Sequence, residues 1–348
     1  MGCLELTDIV KTYRGAAEPA LRGLNLSVEE GEILAILGVS GCGKTTALKV
    51  VSGLERQDSG HVALGGQEMD GLAPEKRPIA MVFQKSLLFR NMTVAENINF
   101  APRIGRGMGK KLLAQKTGEM LELMQLGGLG GKRATEISGG QEQRVSLGRA
   151  LMTEPKLLLL DEPLSALDPG LKLALEAHIQ EVNRKLGTTM LYVTHDQKEA
   201  TRIASRIALM QNGRIVQCAK PQDFYAKPAT KQVAEFFGWE NFIPARKRGA
   251  LVSSPLGEFA IEGAAAGDGG VLLCVRPEAA TEIGRGRIKA VVRSVLPQGI
   301  ETVYETDCSG ARLKLSLNMR HSFSAGEEIR FDIDPQMVWC VAADRVVI

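Results

Sequence analysis

The chain has 348 residues, 44% of them apolar and 24% charged, with a formal net charge of +3. At roughly 150 residues per domain the length makes about two domains, and the mix excludes a disordered chain, which needs low hydrophobicity and high net charge. Acidic and basic residues also balance from Asn241 onward, so nucleic-acid binding, which needs a basic excess, is not expected.

The N-terminal stretch MGCLELTD lacks the basic and apolar regions of a signal peptide. Gly2 and Cys3 hint at lipidation, but Leu6 stands where the myristoylation pattern wants Ser or Thr. Residues 4–28 read as short β pieces around a turn-rich stretch at 14–17. Residues 32–37 form a compact apolar run, a buried strand. A glycine-rich loop follows, then a helix over 44–54. Residues 93–135 read as mostly helical with glycine breaks at 105–109 and 127–131. A further helix over 139–153 is stopped by Pro155. Residues 157–160 and 190–194 are buried strands, and Asn212-Gly213 joins strands 207–210 and 214–217 in a hairpin. Strands alternating with helices imply a parallel sheet.

After Pro228 a short amphipathic helix carries Val233, Phe236 and Phe237 into Gly238. From Asn241 the pattern turns to short strands and glycine turns, a small β-barrel or sandwich. No apolar run nears the ~18 residues of a membrane-spanning helix. The six cysteines form no CxxC pair, and with four histidines they make no zinc signature. They read as reduced thiols of a cytosolic protein.

Gly38-Val39-Ser40-Gly41-Cys42-Gly43-Lys44-Thr45 fits the phosphate-loop pattern between a strand and a helix. Glycines let backbone N–H groups converge on phosphate oxygens, and the helix N-terminus adds positive dipole there. Lys44 supplies charge to the outer phosphates and the Thr45 hydroxyl can ligate Mg²⁺. Cys42, near a helix N-terminus, is either a reactive thiol or a tolerated small residue. Four leucines then end in Asp161 and Glu162, and ligands of open α/β sheets bind at such strand ends. Asp161 can hold Mg²⁺ and Glu162 can polarise an attacking water as general base.

Ile137-Ser138-Gly139-Gly140-Gln141, followed by Glu142-Gln143-Arg144, resembles the LSGGQ signature of ABC-type ATPases. The phosphate loop and acidic strand then look like Walker A and Walker B. Gln84 in Val82-Phe83-Gln84 resembles the Q-loop glutamine, Asp168 in Ser165-Ala166-Leu167-Asp168 the D-loop, and His195 in Thr194-His195-Asp196 the switch histidine. Tyr13 stands where that family stacks an aromatic on adenine.

The resemblance implies an α/β P-loop NTPase, a mixed sheet with a helical subdomain at about 85–150. It implies that Tyr13, residues 38–45 and Thr46 bind ATP, that Thr45, Gln84 and Asp161 hold Mg²⁺, and that Lys44, Gln84, Glu162 and His195 serve hydrolysis. Ser138, Gly139, Gly140 and Gln141 would contact ATP held by a second copy, in a homodimer. Ile137 replaces the family's Leu, Arg90-Asn91 a common Pro-His pair, and Gly148 a frequent Ala, the last at ~1 kcal/mol of helix propensity.

One ATPase domain and no membrane span resemble the separate subunit of a prokaryotic importer. Residues 77–84 and 92–98 resemble the branch serving sugars, polyamines, ferric iron, sulfate and molybdate, which carries a C-terminal β-rich, OB-like TOBE domain. Val275-Arg276-Pro277-Glu278 and Phe237-Gly238-Trp239-Glu240-Asn241 fit its recurring elements and lean toward the molybdate, tungstate, iron or polyamine members. The implied domains are 1–237 and 238–348. The implied partners are two integral-membrane permease subunits, met through residues 85–135, and, indirectly, an extracytoplasmic binding protein. The implied place is the cytoplasmic face of the inner membrane.

Overall fold

The computed structural model describes residues 2–105, 108–264 and 266–343. The chain divides into two compact units, Met1–Pro221 and Gln222–Ile348.

In the first unit a six-stranded sheet runs in the order Arg214–Ala219, Arg206–Gln211, Ile33–Leu37, Thr189–Thr194, Leu157–Asp161, Ile79–Val82. All its pairs are parallel except the Asn212-Gly213 hairpin at the edge. Strands Ile33–Leu37, Leu157–Asp161 and Thr189–Thr194 are buried at every residue, as expected of strands covered on both faces. The expected β pieces near the N-terminus are strands Leu4–Lys11 and Leu21–Val28, which join Ser59–Leu64 and Gln67–Glu68 in an antiparallel four-stranded sheet. Helix Lys44–Ser52 shares one hydrophobic core with both sheets, through Ala47, Leu48 and Val51 against Leu4, Leu24, Leu34 and Ile36.

Helices Val94–Ile98, Phe100–Ile104, Lys110–Leu123 and Gly139–Leu151 make up the helical part. Of the glycine break at 105–109, residues 106 and 107 lie outside the described residues. Thr93 and Glu96 close a capping box that starts the first of these helices. At Gly148 a Cβ would come within 2.9 Å of Met124 Cγ and 3.3 Å of Met120 Cγ. The glycine therefore admits a close helix–helix approach as well as lowering propensity.

Sequence periodicity missed the helix Pro169–Leu186. Asp168 caps it, Pro169 opens it and Gly187 ends it at φ 64°. Its buried face mixes Leu175, Ile179 and Val182 with Glu176 and His178, which blurs the apolar stripe.

The second unit holds two antiparallel five-stranded sheets. One runs Gly257–Ala260, Leu251–Ser254, Asn241–Arg248, Gly269–Val275, Val338–Ala342; the other runs Ala280–Thr281, Glu328–Ile333, Ile288–Gln298, Glu301–Cys308, Ala311–Asn318. Alternating residues such as Leu313, Leu315 and Leu317 face a shared core with Ile243, Leu273, Phe331 and Val341. Asn241 clasps the two sheets. Its amide nitrogen donates to Val275 O at 3.1 Å and Lys314 O at 2.9 Å, and its oxygen accepts from Lys314 N at 2.6 Å.

The unit boundary falls earlier than the expected residue 237. The reason lies in the aromatic packing around short helices Pro221–Ala226 and Lys231–Phe236. Phe224 stacks on Phe237 at 4.8 Å. The Arg276 guanidinium lies 4.6 Å over Trp239 and donates to Tyr225 O at 2.9 Å, and Trp339 Nε1 donates to Pro228 O at 3.1 Å. These contacts tie the helical stretch to the β unit.

Candidate active site

The strand Ile33–Leu37 opens directly into the phosphate loop. A Cβ at Gly38 would come within 2.4 Å of Met210 O, and one at Gly43 within 2.6 Å of Ala20 O. Gly43 also caps helix Lys44–Ser52 at φ 112°, so only glycine fits there. Lys44 is 5% exposed, and its ammonium donates to Gly38 O at 2.8 Å and Val39 O at 3.0 Å. Val39, Ser40 and Gly41 are exposed. Tyr13 OH donates to Thr46 Oγ1 at 3.4 Å, with Lys11 Nζ 5.5 Å from its ring centroid. Burial pushes the Cys42 thiol up, against the pull of the neighbouring Lys44 charge. Of its two readings, the tolerated small residue suits this environment better than a reactive thiolate.

Four parallel strands end at one level. Leu37 pairs with Thr194, Asp161 with Val193, and Val82 with Leu160. The residues that follow converge as a result. His195 Nδ1 lies 3.1 Å from Glu162 Oε1. Gln84 Nε2 donates to Glu162 Oε2 at 3.4 Å and to Ser165 Oγ at 3.1 Å. Glu162 takes a left-handed φ of 44°, which turns the chain out of the buried strand.

Thr45 Oγ1 donates to Asp161 Oδ1 at 3.3 Å. Burial pushes the Asp161 carboxyl up and the Glu162 charge adds to this, while the Thr45 hydrogen bond and Lys44 oppose it. A hydroxyl and a buried carboxylate at this spacing form an all-oxygen donor set, which fits a hard divalent cation such as Mg²⁺. Gln84, the third expected ligand, is turned to Glu162 and Ser165.

Ser138 caps helix Gly139–Leu151, and its backbone N–H donates to Gln141 Oε1 at 3.0 Å. A Cβ at Gly140 would come within 2.5 Å of Leu171 Cδ2, on the helix capped by Asp168. The bonds of Ser138, Gln141 and Asp168 run within their own helices, apart from the Lys44–Asp161–Glu162–His195 group.

The sequence reading left out the residues that anchor the loop after Gln84. Ser86 Oγ donates to the buried Gln143 at 2.7 Å, and Arg149 Nη1 donates to Leu87 O at 2.7 Å. Both partners lie on the helix capped by Ser138. Arg77 bridges in the same manner, its guanidinium donating to Val50 O, Val51 O and Leu72 O. It closes the C-terminus of the phosphate-loop helix. A buried Gln two residues past the signature was the available signal.

The chain matches the ABC transporter family over residues 21–165 and the TOBE domain over residues 273–341. It is 41% identical to the spermidine/putrescine import ATP-binding protein PotA of Frankia alni, over 73% of this chain and 55% of that one. It is 39% identical to the Fe(3+) ions import ATP-binding protein FbpC of Rhizobium etli, over 82% of each. The chain thus spans about half the length of the first relative and most of the second. A dimeric post-hydrolysis structure of the ATP-binding cassette MJ0796 bound to ADP and Pi superposes with a TM-score of 0.56 at 29% identity, covering 63% of this chain and 98% of that one. Among the described residues no helix is long and apolar enough to cross a membrane. The phosphate loop, the acidic strand end and the β unit meet in one assignment: the chain belongs to the ABC transporter family, as an ABC-type ATPase with a C-terminal TOBE domain.

Proposed function

We propose that the chain is the ATP-hydrolysing subunit of a binding-protein-dependent importer and that Glu162 is its general base. The observation that carries this is the convergence of Gln84 and His195 on the two Glu162 oxygens at the level ends of three adjacent strands. A carboxylate so held can take a proton from water aimed at a terminal phosphate.

Residues 38–46 supply backbone N–H groups to the phosphates, Tyr13 supplies a stacking face for the base, and Lys44 leaves its loop carbonyls to meet phosphate oxygens. Thr45 and Asp161 would hold Mg²⁺, which would supply positive charge to those oxygens. His195 donates to the γ-phosphate as that charge grows, and Gln84 orients the water. Ser138, Gly139, Gly140 and Gln141 complete the site of a second copy, with Asp168 at the same seam. The homodimer works beneath two permease subunits at the cytoplasmic face of the inner membrane. The polyamine relative favours a polyamine cargo. A ferric-ion cargo is the second reading, favoured by the ferric-ion relative.

The test is Glu162→Gln in the full chain. ATP affinity is expected to stay within about twofold while hydrolysis falls about 10²- to 10⁴-fold; turnover at the parental rate overturns the role of Glu162. In native cells the same variant is expected to abolish uptake of labelled spermidine. Loss of iron accumulation with intact spermidine uptake selects the second reading.

A further inference from the structure

The helix that follows His195 carries a charge network, two buried carboxylates with the exposed Arg202, that the mechanism above does not use. We infer that Glu199 and the Arg202–Glu176 pair are positioning residues that hold His195 and the Asp168 turn in register for hydrolysis, an inference that rests on the roles just given to His195 and Glu162.

Helix Gln197–Ile203 begins two residues after His195, capped by the Asp196 carboxylate, which accepts from Lys198 N and Glu199 N. Glu199 is 2% exposed. Its carboxyl accepts from Tyr192 OH on the strand that ends in Thr194, and Thr194 also hydrogen-bonds it. Thr194 Oγ1 in turn accepts from Asp196 N at 3.0 Å. The Thr194 hydroxyl thus links Asp196 N, on the far side of His195, to one buried carboxyl that Tyr192 also meets. Burial pushes that carboxyl up while the Tyr192 hydroxyl pulls it back. A buried acid is costly unless such donors meet it.

Three residues on, Arg202 forks onto Glu176, with Nη2 2.7 Å from Oε1 and Nε bonded to Oε2. Glu176 is 3% exposed and stands on the helix that Asp168 caps. A bidentate fork fixes direction as well as distance. One helical turn thus joins the His195 end of one strand to the Asp168 helix. A packed fold made of apolar contacts alone would not need two carboxylates there.

The experiment measures steady-state ATP hydrolysis by the purified full chain and its Glu199→Gln, Arg202→Lys, Arg202→Ala and His195→Ala variants, with thermal unfolding alongside. For Glu199→Gln, kcat is expected to fall about tenfold, with KM for ATP within about twofold. Arg202→Lys is expected to fall between the parent and Arg202→Ala, because Lys keeps the charge but not the fork. In the Glu199→Gln/His195→Ala double variant, turnover is expected to be no slower than in His195→Ala alone, since one residue acts through the other. Multiplicative losses in the double variant overturn the inference, as does a parental kcat for Glu199→Gln. If Glu199→Gln fails to fold, the Arg202→Lys and Arg202→Ala order decides, and equal rates for both overturn it. Parental turnover in His195→Ala itself instead overturns the underlying site reading.

Discussion

The first unit buries Lys44, Arg77, Asp161, Glu176 and Glu199, whereas the buried polar residues described in the second are Asn241, Lys247 and Thr306. Charge taken out of water is expensive unless it is paired. The first unit meets that cost with partners drawn from other parts of the fold: loop carbonyls for Lys44, helix carbonyls for Arg77, the Thr45 hydroxyl for Asp161, Arg202 for Glu176 and the Tyr192 hydroxyl for Glu199. The second unit has antiparallel hairpins whose ladders satisfy themselves, and one neutral clasp at Asn241 joins its sheets. In the first unit buried charge bridges elements distant in sequence, and in the second buried Asn241 registers the sheets.

Four substitutions press on that contrast. Both tryptophans, Trp239 and Trp339, lie in the second unit, so their fluorescence follows that unit's unfolding. The largest effect is expected for Lys44→Ala, which should weaken ATP binding about 100-fold, the loss of two charge-assisted bonds. Titration with a fluorescent ATP analogue reads it, and an unchanged tryptophan melting curve should accompany it. Next comes Asn241→Leu. It leaves the Val275 and Lys314 backbone groups without the side-chain partner that now meets them, and should cost the second unit about 2 kcal/mol. Urea unfolding followed by tryptophan fluorescence checks this; an unchanged midpoint would remove the clasp from the comparison.

Arg276→Lys follows, at about 1–2 kcal/mol, from the loss of the flat contact on Trp239 and the bond to Tyr225 O. The smallest effect belongs to Gly148→Ala. Helix propensity gains up to ~1 kcal/mol, but the new methyl displaces Met124, so the melting curve by circular dichroism should move by less than ~1 kcal/mol equivalent. A loss above about 2 kcal/mol would mean that the helix approach there cannot relax.

How legible each part was follows from the same contrast. The phosphate loop could be read because Gly38 and Gly43 meet backbone atoms that exclude a Cβ. The acidic strand end could be read because four leucines announce burial just before two charges. The helix Pro169–Leu186 escaped because Glu176 and His178 sit on its apolar side, and periodicity counts such residues as surface. Ser86, Gln143, Arg149, Glu199 and Arg202 escaped for a related reason: each acts through a partner distant in sequence, which spacing does not display. In the second unit the strand signals were visible, but the short helices around Phe224 and Phe237 were assigned to the first unit. The bonds from Arg276 to Tyr225 O and from Trp339 to Pro228 O reveal their allegiance.

The Lys44 ammonium rests on the carbonyls of Gly38 and Val39. On the proposed reading, a phosphate recruits it by exchange, so the affinity is the surplus of one set of oxygens over another. When that phosphate departs, the carbonyls take the ammonium back, and no bare charge is stranded in the interior. On the proposed reading, those two carbonyls give the same charge a second partner at every turn of the cycle.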